Sequence, residues 1–259
     1  MRCAPRLSLA LPFALLLALL AAAASARAAD PPPAFTPAQR AEIVAIVRDA
    51  LVRDPTILRD AVTALQASES AHRQQAAQTA IDGAGPALTR APGDPVAGNP
   101  QGDVTVVEFY DLRCPYCRRM LPVIDSLLRR DLKLRLVYKD IPILGEASVL
   151  GARAVLAAER QGGYARLQSV LMHLPPQFTE DSLRTAATEA GLDWPRLQRD
   201  MQDPAIAARI HANLDLARQL GIDGTPAFVI GHAVIPGAVE LADLQEAISS
   251  ARQAAAATR

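Results

Sequence analysis

Residues Val104 to Tyr110 form a nearly continuous apolar run, carrying Val104, Val106, Val107 and Phe109 within seven positions. A short run without alternation predicts a central strand buried on both faces. Cys114-Pro115-Tyr116-Cys117 follows at once, and Met120, Leu121, Ile124, Leu127 and Leu128 then recur at helical spacing. Leu134, Leu136 and Tyr138 alternate with Lys133 and Arg135, the pattern of a second strand. Strand, helix and strand in this order predict a β–α–β unit with parallel strands, and so an α/β chain.

Start and stop signals predict helices over most of the remainder. Between about 146 and 220 no strand pattern occurs. Val149 to Arg160 and Tyr164 to His173 read as helices, Thr179 opens another that Gly191 ends, and Asp203-Pro204 opens the last, closed by Gly221. The expectation is an all-helical insertion over about 146–220. Strands return at Ala227 to Ile230 and Ala233 to Ile235, joined by Gly231-His232 as a hairpin. Leu241, Leu244 and Ile248 mark a C-terminal helix. Near the N-terminus, Thr36-Pro37 and Asp54-Pro55 are helix starts, followed by apolar stripes at Ile43, Val47 and Leu51 and at Ile57, Leu58, Ala61, Val62 and Leu65. Gly83, Gly85 and Pro86 close this region. Two such helices, spanning 36–85, cannot form a core alone. They must cover their apolar faces on the main domain, expected over 88–255, or on another copy of the chain.

Arg2 and Arg6 precede an apolar run from Leu7 to Ala24, and Ala24-Ser25-Ala26 and Ala26-Arg27-Ala28 both fit a small-x-small cleavage site. An uncleaved anchor is the alternative, but Pro12 inside the run and the small residues after it favour a removable signal peptide over 1–28 and export to the periplasm. Cys3 would leave with it. The 27 basic and 27 acidic residues cancel, which gives no electrostatic case for a nucleic-acid partner.

Cys114 and Cys117 then remain, too close in sequence for their link to restrain the unfolded chain much. Chemistry explains the pair better than stapling. At a helix start, backbone N–H groups and the positive end of the helix dipole face the Cys114 sulfur and favour thiolate, the nucleophile. Cys117, one turn later, can attack a mixed disulfide formed at Cys114. Arg113, Arg118 and Arg119 either lower the Cys114 pKa further or form a solvated helix face. Zinc would need further ligands, and His72, His173, His211 and His232 are scattered; a c-type haem would need histidine where Arg118 stands. Cu(I) bound by the two sulfurs stays open. By alternation Glu108 points inward with Val104 and Val106, where burial raises a carboxyl pKa and allows it to shuttle the thiol proton, unless it pairs with a cation such as Lys139. Thr225-Pro226 precedes a strand, a place that suits proline and admits a cis bond.

These motifs together resemble the DsbA-like branch of the thioredoxin superfamily. The likeness rests on Val106-Val107-Glu108-Phe109-Tyr110 leading into Cys114-Pro115-Tyr116-Cys117, on Asp140-Ile141-Pro142-Ile143-Leu144-Gly145, on the helical insertion, and on Gly224-Thr225-Pro226-Ala227-Phe228-Val229-Ile230-Gly231. Within the branch, ScsC-type and Com1-type proteins carry a comparable N-terminal helical extension. The resemblance implies a thioredoxin-like fold with an all-helical insertion, preceded by an N-terminal helical segment. It implies an exposed nucleophile at Cys114, a buried resolving Cys117, a redox-active Cys114–Cys117 disulfide and no separate cofactor. Pro226 would be a cis-proline beside the dithiol. Thr225, with Pro115 and Tyr116, would meet substrate proteins that carry thiols or disulfides, and Glu108 would be the buried acid. It further implies a membrane redox partner and a homo-oligomer, a trimer in ScsC-like relatives. Tyr116 stands where the strongest oxidases have histidine, which argues against their extreme oxidising power. Oxidase and isomerase directions both remain open, as does a chaperone or Cu(I)-binding role on the same fold.

Overall fold

The computed structural model describes residues 35–257, so the expected signal segment 1–28 lies outside the described residues. The chain divides into two compact units, 1–65 and 66–259. In the first, Thr36 caps helix α1 (Pro37–Arg53): its hydroxyl accepts from the Gln39 N–H at 3.3 Å, and the Gln39 side chain accepts from the Thr36 N–H at 2.9 Å. Asp54 ends α1 and receives the Thr56 N–H at 3.0 Å, opening helix α2 (Thr56–Thr89). Nothing in α1 is buried; Val44, Ile46, Val52 and Leu58 are among the apolar side chains left exposed.

Helix α2 spans the division between the units. Gly85 breaks it at φ 48° and ψ −129°, a backbone that glycine alone adopts freely, and Pro86 then sits in the first turn of a resumed helix. The expected stop at residues 83–86 is therefore a kink. The domain start expected at 88 also falls inside packed structure, because Ile81 and Leu88 are buried in one core cluster with Val107, Phe109 and Val137.

The second unit is built on one five-stranded sheet. Its elements are β1 (Val96–Gly98), β2 (Val104–Tyr110), α3 (Pro115–Arg130), β3 (Leu134–Asp140), α4 (Glu146–Glu159), α5 (Tyr164–His173), α6 (Glu180–Glu189), α7 (Trp194–Asp200), α8 (Pro204–Gln219), β4 (Ala227–Ile230), β5 (Ala233–Pro236) and α9 (Leu241–Ala257). The strand order is β1-β3-β2-β4-β5; β2 and β3 are parallel and the other pairings antiparallel. Five helices, α4 to α8, fill the stretch between β3 and β4 where the insertion was expected. Strand β1 and helix α7 escaped the sequence reading because three and seven residues show no period. Among the described residues no helix is long and apolar enough to cross a membrane.

Strand β2 sorts its side chains as alternation predicts. Val104, Val106 and Tyr110 join the core cluster of Cys114 and Cys117, and Val107 and Phe109 join the opposite one. Strand β3 departs from expectation, since all seven residues are buried. Lys139 is only 1% exposed; its Nζ lies 2.6 Å from Asp94 Oδ2 and donates to the Ala87 carbonyl at 2.8 Å. Arg209 Nη1 reaches Asp94 Oδ1 at 3.3 Å, and Arg135 donates to the Thr89 carbonyl. This ionic knot corrects the alternative of a Glu108–Lys139 pair. Lys139 alternates with Tyr138, so it points away from the cysteine side of the sheet.

Candidate active site

Cys114 is the N-cap of α3, with Pro115 in the first turn, where the missing proline N–H costs no helical bond. The Thr225–Pro226 peptide is cis and faces this helix start. Cys114 Sγ donates to the Thr225 carbonyl at 3.2 Å. That contact covers the sulfur: Cys114 is 4% exposed and Cys117 1%, so Cys114 is not the exposed thiol that the resemblance implied. The two sulfurs are set apart by their electrostatics instead. Both are free thiols in this structure, with no disulfide between them. Pro115 and Tyr116 lie exposed beside them, and the Arg119 guanidinium stacks 4.4 Å over the Tyr116 ring.

Hydrogen bonding separates the thiols. The Cys117 side chain bonds the Cys114 sulfur and, with Thr225 and the backbone groups of Cys117 and Tyr116, brings the Cys114 thiol down to about 5 against the opposing effect of burial. Cys117 is pushed far above its ordinary range, first by burial, then by its bond to Cys114, with the Glu108 charge adding to both. Glu108 itself is raised to about 8 by burial and by the neighbouring Asp140 charge. Among the described residues Glu108 has no ion-pair partner. A thiol lowered to about 5, a second thiol pushed far up and a carboxyl raised to about 8 thus share one face of the sheet. Such a set can form and break disulfides.

Of the three arginines, Arg119 lies on a solvated helix face, as one of the two expectations had it, whereas Arg113 and Arg118 are part-buried and serve a different role. Arg113 Nε donates to the Pro176 carbonyl at 2.6 Å and its Nη1 to that of Leu144. Arg118 Nε donates to the Leu112 carbonyl at 3.1 Å, and its other nitrogens reach the carbonyls of Leu174 and Leu171. These bonds tie the helix of the cysteines to the inserted helices. Asp111, unremarked in the sequence, is a second organiser: its carboxylate accepts from the N–H groups of Arg113, Ile143 and Leu144 and from the Ser148 hydroxyl, all at 2.8–3.1 Å. Asp140 was also missed. Continuing the Leu134, Leu136, Tyr138 alternation by one step would have placed it on the cysteine side.

The sheet order and the helical insertion define a thioredoxin-like fold. The chain belongs to the DSBA-like thioredoxin domain family, whose model matches residues 105–249. Residues 39–78 match the copper resistance protein ScsC N-terminal domain. Among solved structures, a thioredoxin-like oxidoreductase from Silicibacter pomeroyi DSS-3 is 46% identical over 65% of this chain and 98% of its own, with a TM-score of 0.63. Proteus mirabilis ScsC in a transitional conformation is 29% identical over 85% of this chain and 99% of its own, at TM-score 0.62. A periplasmic thioredoxin-like protein from Salmonella enterica serovar Typhimurium is 31% identical over 65% and 95%, at TM-score 0.59. The chain spans about a quarter of the length of the first curated relatives it matches, such as the Na(+)/H(+) antiporter NhaA 3 of Salinispora tropica, 29% identical over 61% of this chain and 24% of the antiporter.

Proposed function

We propose that the chain is an exported protein thiol–disulfide oxidoreductase working through Cys114 and Cys117. The feature that carries this reading is a pair of sulfurs one helical turn apart, beside the cis Thr225–Pro226 peptide, whose surroundings pull their pKa values in opposite directions, Cys114 down to about 5 and Cys117 far above its ordinary range. In the reducing direction the Cys114 thiolate attacks a substrate disulfide; one substrate sulfur leaves and a mixed disulfide forms. Cys117 then passes its proton to Glu108 and attacks Cys114 Sγ, so that the Cys114–Cys117 disulfide forms and the second substrate sulfur leaves. Oxidation of a dithiol runs the same steps backwards. Thr225, Pro226, Pro115 and Tyr116 border the sulfurs and would hold the substrate chain. The pair carries the electrons itself, without a further cofactor. The apolar N-terminal run and the periplasmic Salmonella relative support export to the periplasm, where a membrane redox partner would reset the pair. Purified protein is expected to accelerate oxidation of a dithiol peptide by oxidised glutathione, reduction of insulin, or both. Acceleration of neither overturns the reading.

The exposed apolar side chains of 35–65 support self-association, as does the ScsC-type match of 39–78. We read this segment as the seat of a homo-oligomer in which several active sites could share one substrate and reshuffle its disulfides. Light scattering is expected to give a multiple of the chain mass for the mature protein and a single mass for a chain beginning at residue 66. A monomer in both cases excludes the arrangement. The copper resistance wording of the 39–78 family favours one second reading, Cu(I) carried by the two free thiols. Affinity no greater than that of a small dithiol removes it.

A further inference from the structure

Beneath the dithiol lies a buried polar cluster that the exchange reaction as written leaves unused. Asp140 closes β3 on the same face as Tyr138 and pairs in register with Tyr110 of β2, while Glu108 pairs with Tyr138. The Tyr110 hydroxyl donates to Asp140 Oδ1 at 2.8 Å, the Tyr164 hydroxyl donates to Oδ2 at 3.0 Å, and the two phenol oxygens are 2.6 Å apart. Asp140 is 2% exposed, and among the described residues no lysine, arginine or histidine pairs with it. A carboxyl so deeply buried, with no cation beside it, is costly to ionise; the two phenols donate to its charged form and offset only part of that cost, so it remains a natural holder of a proton.

We propose that Asp140 is a positioning residue for the exchange: clamped by Tyr110 and Tyr164, it couples to Glu108 across the β2–β3 pair, and its charge decides when Glu108 takes the Cys117 proton. The two carboxyls lie on one face of adjacent strands, two residues apart in register, and the Asp140 charge raises Glu108; charge on one of two interacting carboxyls disfavours charge on the other. Burial raises Asp140 to about 7, near the value of about 8 for Glu108, so both titrate in the same range. Among the described residues the surroundings supply no compensating cation. Tyr110 and Glu108 face the pair from β2, Tyr138 from β3, Tyr164 and Gln168 from α5, Asp111 from the loop after β2 and Cys117 from α3, with Asp125 acting on Tyr138. Proton balance is kept within the cluster. When Cys117 attacks Cys114 Sγ, its S–H proton moves to ionised Glu108, the new S–S bond takes up the thiolate electron pair, and the substrate sulfur leaves as thiolate. Asp140 keeps or loses its own proton without entering that transfer.

The inference rests on the exchange reaction proposed above, and carboxyl NMR separates the two. In reduced wild-type protein labelled with 13C at Asp and Glu side-chain carboxyls, Glu108 and Asp140 are each expected to titrate with a second inflection at the other's midpoint. Independent single-step curves overturn the coupling, whatever the protein's activity. In the conservative Asp140→Asn variant, the midpoint of the pH profile for release of a peptide from its Cys114 mixed disulfide is expected to fall by about one pH unit. In a Glu108→Gln background the same substitution should leave the profile unmoved. An unshifted midpoint in the single variant, or an equal shift in both backgrounds, overturns the proposal. If Asp140→Asn fails to fold, the wild-type titration decides.

Discussion

Substitution of Cys114 by serine is expected to lower disulfide exchange in either direction by at least about three orders of magnitude, the scale on which loss of a covalent nucleophile acts. The serine hydroxyl keeps the N-cap position and close to the same volume, so the fold should survive. What it lacks is an ionised form near neutrality. Wild-type protein should react with iodoacetamide along a profile with its midpoint near the Cys114 value of about 5, and the variant should lose that phase. Retention of both the acidic alkylation phase and the exchange activity would falsify the assignment. The same lowered value links pH to stability. The Cys114 pKa falls from its ordinary 9.0 to about 5 in the folded protein, so the thiolate contribution is fully present above 9, shrinks as pH falls and is gone below 5. The reduced form should therefore gain on the disulfide form as pH rises across that window, which draws the protein toward donating disulfides.

The second large effect belongs to the ionic knot on the opposite face of the sheet. Asp94→Ala is expected to cost about 3–5 kcal/mol of folding stability, because it leaves the Lys139 ammonium buried without its carboxylate. Burial pushes the Asp94 carboxyl up and the Lys139 amine down although each faces the other, so desolvation outweighs their attraction. The pair is thus expensive to break and contributes little when whole. Replacing both members, Asp94→Leu with Lys139→Met, should recover most of the loss. Urea unfolding of the two single variants and the double variant measures this directly. A loss under about 1 kcal/mol for Asp94→Ala, below the range for breaking a buried pair, would show that water reaches Lys139.

Both effects bear on how much of the molecule its sequence reveals. The β2–α3–β3 unit was legible because a seven-residue apolar strand, a Pro-started helix and an alternating strand each carry a local period. Glu108 was legible too, since alternation alone sends it to the cysteine side. Lys139 was not. The sequence offered Lys139 only as a cation for Glu108, and its actual partner, Asp94, lies 45 residues away on a loop without a pattern. The covering of Cys114 depends on Thr225, 111 residues further on, and the Asp140 clamp needs Tyr164 from an inserted helix. Periodicity reports which way a side chain points, and says nothing of what the rest of the chain brings to meet it.

Arg113 and Arg118 fasten the inserted helices to the start of α3 through backbone carbonyls alone. Mobile salt ions screen exposed charges and act much less on partly buried contacts. The part-buried bonds of Arg113 to Pro176 and of Arg118 to Leu112, Leu174 and Leu171 should therefore yield less to ionic strength than exposed ion pairs such as Arg252–Asp103.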